Sequence, residues 1–329
     1  MENTTNLSID NNLWVWPVGA ILLVLFEILY IQIARKFSII DLPSKRSSHE
    51  VLTIRGGGII FYVALIFSYL HNNCELHAFM AGATLVAVVS FLDDVSPRSA
   101  SLRFGVQTVA VILLFYDAGI LTWPLWLLVL AAMVSIGALN AFNFMDGING
   151  ITGLYGLINL LSFSWVQYYF IPFTSLNAII WVMLSVLIFL YFNFRVKAKC
   201  FAGDVGSITL AFFQIFLLLQ LIVITTNFIW VFFFWMYGID SVATILIRLI
   251  RKENIFKPHR THLYQYLSNE LRLPHLIVAC IYALIQLAIN ALLIFCVIHN
   301  VIWALVLCCM IILSIYIMLR IQIQSRMIS

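Results

Sequence analysis

Residues 124–170 read PLWLLVLAAMVSIGALNAFNFMDGINGITGLYGLINLLSFSWVQYYF: two apolar runs containing one acid, Asp146, and no Lys or Arg. Each run is close to the ~20 apolar residues that cross a bilayer as a helix. The polar knot NAFNFMDGINGITG sits at their junction. Working outward, the same texture fills the chain. Of its 329 residues 63% are hydrophobic and 10% charged, with mean hydropathy +1.04. Soluble domains carry about 25% charged residues, so a cytosolic globular enzyme is excluded. Disorder and nucleic-acid binding fail on the same ground, and a net charge of +4 is too small to imply a polyanionic partner. The composition is that of an all-α, polytopic membrane protein.

Polar or Pro/Gly punctuation divides the chain into eleven expected spans. They lie near 13–34, 56–72, 77–92, 104–121, 124–142, 148–170, 178–193, 206–225, 228–247, 274–298 and 301–321. The first is read as an uncleaved anchor, because the preceding MENTTNLSIDN lacks the basic start of a signal peptide. All eighteen Lys and Arg residues fall after odd-numbered spans or in the tail. The positive-inside rule therefore predicts an N-terminus outside, a C-terminus in the cytoplasm, and a single transmembrane domain over 1–329. Its cytoplasmic loops are expected near 35–55, 93–103, 143–150, 194–205 and 248–273. The six cysteines, none in a CxxC, read as small apolar packing residues.

The remaining polar residues gather where these loops meet the spans. Asp93 and Asp94 end one in FLDDV. Asn140, Asn143, Asp146 and Asn149 punctuate 140–149, Asp204 stands in FAGDVGS, and Asp240 lies inside the ninth span. Each has an ordinary reading: a solvated helix stop, Asn side chains joining helices, or glycines in tight packing. Ionisable groups at membrane depth nevertheless mark polar sites by default, and these converge on one face. Carboxylates and amide oxygens are hard ligands, and Mg²⁺ binds through one or two carboxylates plus substrate phosphates. Glycine turns let backbone N–H groups approach phosphate. Basic residues neutralise charge on a transferring phosphoryl group. There is no GxxxxGK[ST] loop, and HRTH at 259–262 lacks a third zinc ligand nearby. These residues point to a cytoplasm-facing Mg²⁺ site that handles phosphates at the membrane surface.

From SSH…RGGG (47–58), through DD, NxxNxxDGxxG and GDxGS, to the basic loop after span 9, the chain resembles the polyprenyl-phosphate N-acetylhexosamine-1-phosphate transferases. That family moves a sugar-1-phosphate from a UDP-sugar to a lipid phosphate and releases UMP. YGIDSVATILIRLIRKENIFKPHRTHLYQYL (237–267) is similar to the bacterial branch that starts O-antigen synthesis. The phospho-N-acetylmuramoyl-pentapeptide translocases, an alternative branch, usually carry three consecutive histidines here.

The resemblance implies Mg²⁺ on Asn143 and Asp204, and uracil stacked on Phe201. It places Asp93, as candidate base, and Asp94 beside the lipid phosphate, which Arg103 would hold. His259, Arg260 and His262 would contact the pyrophosphate and sugar. His49 and Arg55 match the first-loop motif, and Asn140, Asp146, Asn149 and Asp240 complete the expected substrate-binding set. Two departures stand out: Leu52, Thr53 and Ile54 replace Pro-Thr-Pro, and Asn149 replaces the second aspartate of DGxDG. The expected partners are a UDP-N-acetylhexosamine and undecaprenyl phosphate at the bacterial inner membrane, with a homodimer left open. A transporter or lipid flippase is the rival reading, with Glu27 and Asp240 along a substrate path. Its usual midplane site and paired halves have no counterpart in this sequence.

Overall fold

The computed structural model describes residues 14–41, 52–254 and 259–328. Its helices are α1 (Val15–Lys36), α2 (Ile59–His71), α3 (His77–Val95), α4 (Ala100–Asp117), α5 (Leu125–Met145) and α6 (Ile151–Trp165). They continue as α7 (Leu176–Asn193), α8 (Gly203–Thr225), α9 (Trp235–Ile250), the short α10 (Leu263–Gln265), α11 (His275–His299) and α12 (Ile302–Ile328). A helix coincides with each expected span. Among the described residues nine helical stretches have the length and apolarity to cross a membrane, and α2 is a shorter apolar helix. Helix α6 continues through a π turn, Val166–Phe170. The protein is an all-α, multi-pass membrane protein.

The helix ends follow local chemistry. Pro124 and Pro274 precede α5 and α11, where a missing N–H costs nothing. The Ser99 hydroxyl accepts the Leu102 N–H to start α4, as an N-cap serine does. Helix α8 is apolar all round and 78% buried, the pattern of a central helix. It packs against α2, α3, α5 and α6. Helices α5 and α12, at 22% and 17% buried, turn large apolar side chains such as Trp126, Met133 and Ile311 outward. Within this apolar bundle, Asn290 bonds Asn159 and Ser162, Asn159 bonds Gln214, and Gln286 bonds Asn290 and Tyr155. Such groups satisfy one another where water is absent.

The two ends of the bundle differ. At one, Trp181 Nε1 donates to His71 Nδ1 at 2.9 Å, the Phe79 N–H to Asp117 at 2.6 Å and Ser175 to Asn72 at 2.7 Å. These contacts join the C-terminal ends of α2 and α4 to the starts of α3 and α7. The other end holds the loops that carry Lys and Arg. There the only ladder among the described residues forms, β1 (Ile40–Asp41) antiparallel to β2 (Thr53–Ile54). All six cysteines are unpaired, in keeping with packing roles.

Candidate active site

Strand β2 is laid directly onto the entry to α8. Ile54 bridges Cys200 in parallel, its carbonyl accepts the Phe201 N–H at 2.7 Å, and the Gly57 and Gly58 N–H groups donate to the Phe201 and Ala202 carbonyls. The glycines permit this. Gly56 and Gly203 hold φ of +81° and +71°, and a Cβ on Gly206 would stand 2.6 Å from the Gly58 Cα, closer than side-chain carbons pack. The Tyr30 hydroxyl donates to the Arg55 carbonyl at 2.6 Å, so α1 braces the same strand.

That junction brings four expected site residues onto Asp204. Arg55 reaches Asp94 through Nε at 2.7 Å and Asp204 through Nη2 at 2.8 Å. Arg103 lies 3.2 Å from Asp93 and 3.4 Å from Asp204. Asp94, with its side chain fully buried, also accepts the Asp204 and Val205 N–H groups at 2.9 and 3.0 Å. Asp93 accepts the Arg98 N–H at 2.6 Å. The neighbouring acids thus separate: Asp94 holds the start of α8, and Asp93 faces Arg103. Beside Asp204 opens a small cleft lined by Arg103, Gln107, Asn140 and Asn143. Asn143 donates to Ser207 at 3.3 Å, and Asn140 to Gln107 at 3.0 Å.

The α5–α6 junction closes the other side. Burial, with the nearby Asp204 charge adding to it, pushes the Asp146 carboxyl up to about 7. Asn149 donates to the Arg195 and Val196 carbonyls. Its amide therefore fastens the loop that leads to Phe201. Asn193 does the same from α7, accepting the Gly150 N–H at 2.7 Å and donating to the Cys200 carbonyl at 2.8 Å. Phe201 is half-buried beside this latch.

The basic loop reaches the same region through Phe144, whose ring lies 6.4 Å from that of His259 and 6.3 Å from that of His262. Tyr264 donates to the Phe144 carbonyl at 2.9 Å. Burial, followed by the His262 and Arg248 charges, holds the His259 imidazole down at about 4. Arg260 lies 3.4 Å from Glu270. Asp240 departs from the expected substrate contact. It is fully buried and spends its carboxylate on His262 Nδ1, the Leu263 and Tyr264 N–H groups, Tyr282 and Tyr316. It therefore anchors the loop from beneath. His49 lies outside the described residues.

Sequence reasoning passed over Tyr30, Gln107 and Asn193, which sit in apolar helices outside the motifs and carry no signal of spacing, and it gave no role to Ser207, the last residue of GDxGS. As for a metal, Asn143 and the 14%-exposed Asp204 side chain line one cleft with oxygen donors. That set fits a hard cation that keeps water and phosphate ligands, and both Asp204 oxygens would be shared with Arg55 and Arg103. Among the described residues no three His, Cys, Asp or Glu side chains group as a metal cage.

Comparison with known proteins places this geometry. The model of glycosyl transferase family 4 matches residues 76–222, a stretch that holds Asp93, Asp94, Arg103, Asn140, Asn143, Asp146, Asn149, Phe201 and Asp204. The chain is 26% identical over 261 residues to a probable undecaprenyl-phosphate N-acetylglucosaminyl 1-phosphate transferase of Bacillus subtilis (strain 168), covering 72% of this chain and 71% of that one. It is 30% identical over 116 residues to the undecaprenyl-phosphate alpha-N-acetylglucosaminyl 1-phosphate transferase of Yersinia pestis, covering 33% and 32%. Within this multi-pass helical protein the glycosyl transferase family 4 model thus lies over Asp93, Asp94, Arg103 and Asp204, and together with the transferase-named relatives it supports a membrane-embedded sugar-1-phosphate transferase.

Proposed function

We propose that the protein transfers an N-acetylhexosamine 1-phosphate from a UDP-sugar to undecaprenyl phosphate, releases UMP, and so begins a lipid-linked glycan such as O-antigen. The observation that carries this reading is Asp204 held between Arg55 and Arg103, beside Asn143, at the end of the bundle that holds the Lys and Arg residues. By the positive-inside rule that end faces the cytoplasm, where nucleotide sugars are made, and the membrane is the bacterial inner membrane.

A lipid phosphate oxygen attacks the β-phosphorus of the donor. The bond from that phosphorus to the bridging oxygen breaks, and UMP leaves with the electron pair. A phosphate monoester has its second pKa at about 6, so the nucleophile is largely dianionic at neutral pH. Asp93 accordingly positions it through Arg103 more than it deprotonates it. Arg55 and Arg103 offset the charge of the two phosphate groups, Arg260 meets the donor from the basic loop, and Phe201 takes the uracil face. Mg²⁺ held by Asn143 and Asp204 would supply Lewis-acid stabilisation of the diphosphate.

The test is UMP release by purified protein or membranes given undecaprenyl phosphate and a panel of UDP-sugars, with and without Mg²⁺. The expected result is Mg²⁺-dependent release with one preferred UDP-N-acetylhexosamine. Transport of a sugar or lipid with no UMP formed would overturn the reading.

A further inference from the structure

Helices α1 and α7 both run toward the end of the bundle that carries Lys and Arg. At the opposite end they touch so closely that a Cβ on Gly19 would enter the Trp181 ring. Toward the basic end they part, leaving a wedge of about 1210 Å³, larger than the about 300–1,000 Å³ of ordinary small-molecule clefts. Its deep walls are Val24, Ile28, Leu187 and Ile188, and its mouth carries Gln32, Arg35, Tyr191 and Lys199. Arg35 and Lys199 are exposed, and neither forms an ion pair among the described residues. The floor includes Ile54, the residue that accepts the Phe201 N–H and precedes Arg55.

A groove that is apolar at membrane depth and cationic at the surface has the polarity of one lipid leaflet. We propose that the α1–α7 wedge binds an anionic diacyl phospholipid, its phosphate on Arg35 and Lys199 and an acyl chain along Val24, Ile28, Leu187 and Ile188. The charge of the mouth selects the headgroup, since each basic residue near a membrane surface adds about fivefold to the affinity for anionic lipid. The wedge is separate from the cleft lined by Arg103, Asn140, Asn143 and Asp204, so the occupant is a structural effector and not the acceptor substrate. Seated there, the lipid backs the strand that leads into Arg55.

Native mass spectrometry of the delipidated full-length protein, given equimolar phosphatidylglycerol and phosphatidylcholine of identical chains, reads this directly and without an activity assay. One phosphatidylglycerol should be retained with a preference of about tenfold or more, given two basic contacts. In R35Q/K199Q, two exposed positions whose change leaves the fold intact, that preference should disappear. In I28W, which fills the apolar wall and keeps the charges, retention of both lipids should fall. Equal retention of the two lipids by the wild-type protein would overturn the proposal, as would an undiminished preference in R35Q/K199Q. So would displacement of the bound phosphatidylglycerol by one equivalent of undecaprenyl phosphate, because the wedge would then be the acceptor site.

Discussion

The carboxylate of Asp94 accepts the backbone N–H of Asp204 at 2.9 Å, so a side chain from the end of α3 caps the first turn of α8. A helix start carries partial positive charge and unsatisfied donors, and an acid from another helix answers both. Asp204 presents its side chain to the cleft because its backbone is tied down in this way. The neighbouring acids of FLDDV thereby take different tasks: one builds the site and the other faces it.

Replacing Asp94 by Ala would leave the Asp204 and Val205 N–H groups and the Arg55 Nε without this acceptor. Removing one partner of a buried ion pair costs about 3 kcal/mol or more. Thermal unfolding in detergent should rank wild type above Asp94→Asn, which keeps one acceptor oxygen, and Asp94→Asn above Asp94→Ala. A wild-type transition for Asp94→Ala would show that α8 starts without this cap.

Asp204→Asn tests the opposite kind of role. The Asp94 cap uses the backbone of residue 204, so the substitution should leave the unfolding temperature close to wild type. Removing the carboxylate charge beside the diphosphate should lower UMP release about 100-fold, the scale of one lost electrostatic contact. Turnover within about threefold of wild type at limiting Mg²⁺, a change far below such a contact, would move the metal away from Asp204.

Hydropathy made the helices legible, because a span announces itself by length and apolarity alone. Placement at the helix ends likewise made Asp93, Asn143 and Asp204 readable as one site, the family resemblance added Arg103, and these residues do meet. What could not be read was which acid faces inward. Asp240 stands in a motif and at membrane depth, as a ligand would, yet Tyr282 and Tyr316 from two distant helices enclose it. Asn193 closes the α7–α8 turn onto Gly150, but along the chain it is one polar residue at the end of an apolar run. Such roles depend on which helices touch, and hydropathy carries no record of that.

Of the adjacent pair His259 and Arg260, it is Arg260 that carries charge at neutral pH. With its pKa held at about 4, His259 is neutral across pH 6–8. UMP release by His259→Asn should follow the wild-type pH profile through that range, whereas Arg260→Gln should lose activity at every pH. Stability carries the complementary sign. Between the ordinary histidine value of about 6.5 and the folded value, the unfolded chain binds a proton that the fold refuses. His259 therefore lowers stability as pH falls from about 6.5 to about 4, and His259→Asn should flatten that part of the melting curve. A histidine-like step near pH 6.5 that vanishes in His259→Asn would show instead that the ring is charged in the working enzyme.

The last prediction contrasts Gly206, buried at the start of the central helix α8, with Gly137, exposed on the outer helix α5. A Cβ on Gly206 would stand 2.6 Å from the Gly58 Cα, and both partners are backbone, so no side chain can swing aside. The starts of α2 and α8 must then separate, and overpacking of this kind costs about 1–3 kcal/mol. Separation also stretches the bonds from the Gly57 and Gly58 N–H groups to the Phe201 and Ala202 carbonyls, which align Arg55 with Asp204. Gly137 on α5 has nothing within 4 Å of the same construction, and Ala suits a helix interior better than Gly by about 0.5–1 kcal/mol. Gly137→Ala should therefore melt at or above the wild-type temperature with unchanged UMP release. Gly206→Ala should melt lower and lose activity, and so should Gly58→Ala, whose Cβ would meet the Gly206 and Ala202 backbone. Equal melting temperatures and activities for Gly206→Ala and Gly137→Ala would mean that the two helix starts do not meet as described, and that the alignment of Arg55 on Asp204 has another cause.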